Sequence, residues 1–222
     1  MRLIIANKNY SSWSLRPWLL LSELGVPFEE EKISFNDPNW KTRFFEASPS
    51  GRVPVLVDGE VAVWDSLAIA EYVAERFPEA GVWPAHPEAR ALARSIVAEM
   101  HAGFSALRAR MPMNIEAHLP GRGWDLTVQK DIDRILALWK DARTRFGAEG
   151  PMLFGRFSAA DAFYAPVVWR FVTHDVQVDD GARAYMDAVR ALPSMQAWAQ
   201  EALEEHDYVA DDEPYRPAPN GG

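Results

Sequence analysis

The stretch S-P-S-G-R-V-P-V-L-V-D-G-E-V-A-V-W-D-S-L-A-I-A-E-Y, residues 48–72, decides how this chain folds. V-P-V-L-V is apolar and β-branched, Asp58-Gly59 is a strong tight-hairpin signal, and E-V-A-V-W returns as the partner strand. The helix that follows places Leu67, Ile69, Ala70, Val73 and Phe77 at helical spacing. Pro54 at the head of a strand has two readings. A trans proline on an edge strand is the commoner one. A cis Val53-Pro54 bond would instead turn the chain and leave the Val53 amide and carbonyl unpaired, so that a short peptide can add there as an extra strand. Asp65 and Ser66 also read two ways. One of them caps the helix, or the pair holds an amino-acid head group, Asp65 taking the ammonium while Ser66 and the helix N-terminus take the carboxylate.

Working outward, R-L-I-I-A reads as a short buried strand and S-L-R-P-W-L-L-L-S-E-L-G as a helix that Gly25 stops. V-P-F-E-E-E-K-I-S suits a charge-guarded edge strand, and N-W-K-T-R-F-F-E-A a short helix. Proline is best tolerated in a first helical turn, so Pro17 implies a cap at Ser14, with Ser11 and Ser12 upstream in the loop, near the positive end of the helix dipole. Residues 1–78 thus run β-α-β-α-β-β-α. A proline-rich segment, 79–87, reads as a linker. From residue 88 the strand pattern disappears, with helices expected near 88–110, 125–146, after Ser158 and near 180–204. Residues 207–222, acidic and then rich in proline and glycine, are expected to form an extended tail with a frayed end.

Composition excludes several functions. Nearly half the 222 residues, 48%, are hydrophobic, enough for a sizeable core. A formal charge of -9 disfavours nucleic acid. No run of about 20 apolar residues points to a membrane, and the N-terminus lacks a signal peptide's apolar core, so the cytoplasm is expected. There is no cysteine, hence no disulfide framework and no thiolate metal site. The five histidines are scattered without metal-ligand spacing, so no metal is expected.

Four motifs together resemble the cytosolic glutathione transferases. S-S-W-S-L-R is similar to the zeta-class S-S-C-S-x-R, and S-P-S-G-R-V-P-V-L to the family's N-P-x-x-x-V-P-x-L. D-S-L-A-I-A-E-Y resembles E/Q-S-x-x-I-x-x-Y, and G-R-F-S-A-A-D the G-x-x-x-S-x-A-D box, a capping box with Asp161 at the third position after Ser158. The resemblance implies an α+β thioredoxin-like N-terminal domain followed by an all-α helical-bundle domain, residues 88–206, that contributes an electrophile pocket. It implies glutathione as co-substrate, no tightly bound cofactor, and a homodimer.

Residue by residue, it implies Ser11, five before the motif Arg16, as the hydroxyl that stabilises the glutathione thiolate. Ser12 is the second choice and Tyr10 the third. Val53 would pair with the cysteinyl unit, Pro54 would fix that turn, and Asp65 and Ser66 would hold the γ-glutamyl end. Arg52 stands where tau-class members place a lysine and is either a carboxylate partner or a solvent-facing arginine. Thiolate attack on a small apolar electrophile is the main expectation; a glutathione-dependent isomerase or peroxidase, or a non-catalytic binding protein on the same fold, are the alternatives. Trp13 replaces the zeta-class cysteine, which counts against isomerisation of maleylacetoacetate. His101 interrupts an apolar stripe with Val97, Met100, Phe104 and Leu107. It reads as a core or boundary histidine, or with Phe104 and Met111 as part of the electrophile pocket.

Overall fold

A computed structural model describes residues 1–216. β1 (Arg2–Ile5) is an inner strand of a four-stranded sheet of order β2-β1-β3-β4. It runs parallel to β2 (Glu29–Lys32) and antiparallel to β3 (Val55–Asp58), and β3 returns through Gly59 into β4 (Val61–Trp64). Side chains alternate across the sheet. Leu3 and Ile5 pack into the main core, while Ile4 and Ala6 join Phe44 and Ile33 on the opposite face. That opposite face is covered by α2 (Trp40–Ala47), and α3 (Ser66–Arg76) closes the unit. The charged strand β2 lies at one edge, as expected.

Helix α1 (Ser12–Glu23) begins earlier than Pro17 suggested. Ser11, not Ser14, is the N-cap; its Oγ accepts the Ser14 N–H at 3.4 Å. The Asn7 carbonyl takes the N–H groups of Tyr10 and Ser11, so the chain is already turning before the helix. Ser14 is released for another task, since its Oγ accepts the Ala6 N–H at 3.1 Å and ties the end of β1 to α1. Pro17 therefore sits inside the helix, which forgoes one backbone bond there.

The second half is helical: α4 (Pro87–Ala102), α5 (Ser105–Arg110), α6 (Leu126–Phe146), α7 (Ala159–Thr173), α8 (Asp180–Arg190) and α9 (Pro193–Glu204). Two expected long helices are each broken. Gly103 is extended and Phe104 adopts a left-handed φ of 53°, separating α4 from α5. A Cβ on Gly103 would stand 2.7 Å from the Glu99 carbonyl oxygen, so only glycine fits that break. Pro193, at the first turn of α9, ends the run from α8. Among the described residues no helix is long and apolar enough to cross a membrane.

The segment expected to form an extended tail from residue 207 is docked on the fold as far as it is described. Glu205 accepts the N–H groups of Lys8 and Asn9, and Asp207 accepts from the Asn7 amide at 2.7 Å. Further on, the Tyr10 hydroxyl donates to Glu213 at 2.6 Å, and the Tyr215 hydroxyl donates to the Arg110 carbonyl. Residues 205–215 thus strap the β1–α1 loop to α5. The frayed end expected at 217–222 lies outside the described residues.

Ser158 and Asp161 form the expected capping box at α7. The buried Asp161 carboxylate also accepts the Leu153 N–H at 3.0 Å, and burial pushes its pKa up to about 6 against the lowering effect of these bonds. Asp161→Ala would leave two buried N–H groups unpaired, and we expect a loss of roughly 2–4 kcal/mol. The urea midpoint measures it; an unchanged midpoint would contradict this role for the box.

Candidate functional site

Two cavities meet at the N-terminus of α1. The first, of about 430 Å³, lies between the β3 entry and the α3 N-terminus. The Val53-Pro54 bond is cis, and Val53 precedes β3 with its N–H and carbonyl in no backbone hydrogen bond among the described residues. Ser66 is buried at the first position of α3, and its Oγ has no partner among the described residues. Such a hydroxyl at a helix N-terminus suits an anionic group. Asp65 caps the same helix through Oδ1, which accepts from Leu67 at 2.8 Å and Ala68 at 3.3 Å. Its other oxygen, Oδ2, lies 2.7 Å from His101 Nε2. Asp65 holds a positive φ of 80°, a costly conformation for a residue with a side chain, and these contacts keep it there. Arg52 completes this cavity.

The sequence-predicted residues Arg52, Val53, Pro54, Asp65 and Ser66 are therefore brought together. His101 joins them, paired with Asp65, and does not line the second cavity. Ser11 and Ser12 do not line this cavity. They face the second one, of about 420 Å³, together with Tyr10, Phe35, Met113 and Asp212. Phe104 and Met111 do not line either cavity and are buried in the core, because the break at Gly103 redirects the chain.

Trp13 and Arg108 line both cavities. Two guanidiniums lie over the indole of Trp13, Arg16 at 4.1 Å and Arg108 at 4.5 Å from the ring centroid. Its edge also meets the His101 ring. Arg16 is almost fully buried and donates to the Ser12 carbonyl, yet its Nε is unpaired among the described residues. Burial lowers its pKa, and the nearby Arg170 and Arg108 lower it further. Arg170 reaches in from α7 and donates from Nη2 to Ser12 Oγ at 3.3 Å. Arg108 and Arg170 escaped the sequence reading because no local motif marks them; α7 packing on α1 brings in Arg170, and the turn into α5 brings Arg108 over the Trp13 ring.

Ser11 is not idle. Beyond its cap, it donates from Oγ to Ser14 Oγ at 2.7 Å. Ser12 Oγ accepts from Arg170, leaving its own proton uncommitted. The Tyr10 hydroxyl is engaged by Glu213, and burial together with that carboxylate raises its pKa.

This geometry can be set beside known proteins. Residues 10–76 match the family model described as glutathione S-transferase, N-terminal domain. The fold is that of the glutathione transferases. A glutathione transferase homolog from Burkholderia, solved with bound glutathione, superposes with a TM-score of 0.71 at 25% identity, covering 91% of this chain and 98% of that one. A stringent starvation protein A homolog of Haemophilus ducreyi is 27% identical over 176 residues, 77% of each protein. A dichloromethane dehalogenase of Methylorubrum extorquens is 48% identical, but over 63 residues only, 28% of this chain and 22% of that protein. Together they show the N-terminal domain type over residues 10–76 and the glutathione transferase fold across most of the chain.

Trp13→Ala would join the two cavities and strip Arg16 of its ring. We expect a loss of about 2–3 kcal/mol in unfolding free energy. Denaturant titration checks it, and an unchanged midpoint would mean the guanidiniums do not depend on the indole.

Proposed function

We propose that the protein is a glutathione transferase of the serine type, with the first cavity holding glutathione and the second its electrophilic partner. The observation that carries this reading is the unpaired, buried Ser66 hydroxyl at the α3 N-terminus, beside Asp65 and the unpaired backbone of Val53. Ser66 and the helix N-terminus receive the γ-glutamyl carboxylate, and Asp65 the ammonium. Val53 pairs through its backbone with the cysteinyl unit, which directs the sulfur toward the α1 N-terminus. Arg52 takes the remaining carboxylate.

Ser11 is the hydroxyl assigned to the sulfur. A free thiol has a pKa near 8.5, and lowering it by about two units requires roughly 2.7 kcal/mol in favour of the thiolate. Two hydroxyls that share one hydrogen bond can exchange donor and acceptor roles. When sulfur arrives, Ser14 donates to Ser11 and Ser11 donates to the thiolate. The helix N-terminus and the guanidiniums of Arg16, Arg108 and Arg170 add favourable charge. The thiolate then attacks an electrophilic carbon in the second cavity. Its zeta-class likeness stops at Trp13, which fills the position of the motif cysteine. A homodimer, as in the family, is part of this reading.

One observation favours a second reading. The Ser11 hydroxyl is already engaged in the α1 cap and with Ser14. If that arrangement persists with ligand bound, the protein binds glutathione without turning it over.

Retention on glutathione-agarose and turnover of chlorodinitrobenzene separate these readings. Ser11→Ala should keep retention and lower kcat about a hundredfold, as loss of one preorganised donor does. Ser12→Ala should stay within about threefold of the parent. The reverse pattern moves the assignment to Ser12. Retention without turnover by the parent protein selects the binding reading, and failure of retention sinks the glutathione assignment.

A further inference from the structure

Several arginines elsewhere meet carboxylates, and others, such as Arg52, Arg122 and Arg183, have no such partner among the described residues but are exposed to solvent. Arg94 pairs with Glu71 and Arg134 with Glu99, each through two hydrogen bonds. Arg16, Arg108 and Arg170 differ from both groups, because Arg16 and Arg170 are buried and Arg108 is half-buried. Among the described residues, Arg16, Arg108 and Arg170 have no carboxylate within 4.0 Å. Two of them, Arg108 and Arg170, line the second cavity.

Arg170 is 5% exposed. Its Nη1 donates to the Arg108 and Met111 carbonyls and its Nη2 to Ser12 Oγ, while Nε has no partner among the described residues. All of its acceptors are neutral. A guanidinium stays charged even when buried; neutral acceptors offset only part of its desolvation, and an anion would offset more. Burial lowers its pKa, and the facing Arg108 lowers it further. Asp212, on the C-terminal strap, lines the same cavity but lies beyond ion-pair distance, and burial raises its pKa while Arg170 lowers it. Two cations against one carboxylate leave this cavity positive in a chain of formal charge -9. Trp13, Phe35, Pro112 and Met113 supply its apolar walls.

We infer that the second cavity takes a small ligand with an apolar body and a carboxylate, the carboxylate seated between Arg108 and Arg170 and the body against Trp13, Phe35 and Met113. This deepens the proposed transferase reading and rests on it for the ligand's role as electrophile; it replaces the purely apolar substrate expected from sequence. In the transfer, sulfur forms a bond to the electrophilic carbon and the leaving group departs with its electron pair. For an aryl chloride this releases chloride, and the thiol proton passes to solvent. The carboxylate takes no part in the bond changes and only positions the ring.

Calorimetric titration of the ligand-free protein with nitrobenzoate and with nitrobenzene tests the site without glutathione. Nitrobenzoate should bind about tenfold more tightly, and Arg170→Met should abolish the difference. Because Arg170 also holds two backbone carbonyls, Arg108→Gln is the second variant and should reduce the preference by about threefold or more. Asp212→Asn, which keeps every arginine in place, should tighten nitrobenzoate about threefold and leave nitrobenzene unchanged. Equal affinity for the two ligands, or a preference that survives both arginine variants, overturns the inference. Turnover of chlorodinitrobenzoate against chlorodinitrobenzene then assigns the role. Retention on glutathione-agarose with no carboxylate preference in binding or kcat/KM overturns this inference alone. A nitrobenzoate preference without glutathione retention upholds the anion site and overturns the transferase reading.

Discussion

Helix α1 is buried from Ser14 to Leu21, and it carries a guanidinium, Arg16, into that interior with no carboxylate among the described residues to meet it. Much of the site follows from how this charge is accommodated. The Ser12 carbonyl takes one N–H group, and the Trp13 ring lies over the guanidinium plane. Trp13 is thereby fixed in place, and a second guanidinium, Arg108, lies over the same ring. The indole becomes the partition between two cavities. Each opens on a different chemistry: a capping carboxylate and an unpaired hydroxyl at the α3 N-terminus on one side, cations and apolar walls on the other.

The same burial explains the serines. Polar groups on an enclosed helix must find partners within the protein. Ser14 takes the Ala6 N–H, and Ser11 caps α1 and bonds Ser14, so the strand, the loop and the helix share one hydroxyl pair. The C-terminal strap completes the enclosure. Glu205 and Asp207 bind the β1–α1 loop from outside, and Glu213 engages Tyr10. Position of the α1 N-terminus is thus set from both ends of the chain, which is what preorganised stabilisation of a developing charge requires.

What was legible in the sequence was local. Asp58-Gly59 announced the β3–β4 hairpin, the apolar spacing after Asp65 announced α3, and Ser158 with Asp161 announced the α7 cap. The gathering of Arg52, Val53, Asp65 and Ser66 followed from motifs only a few residues apart. The errors came where tertiary contacts overrode local preference. Pro17 by itself reads as a first-turn residue, yet the Asn7 turn starts α1 at Ser12 and leaves the proline inside. A continuous apolar stripe concealed the break at Gly103 and Phe104, and with it the true position of His101. Arg170 meets Ser12 across 158 residues of sequence, a distance over which no pattern in one chain gives notice.

The central claim is that the α1 N-terminus and its cationic surroundings favour a thiolate. Its most direct measure is the ultraviolet absorbance of the thiolate of glutathione bound to the unmodified protein, followed across pH. The account predicts a bound thiol titrating about two units below the free value near 8.5. A bound thiol that titrates with free glutathione would contradict it.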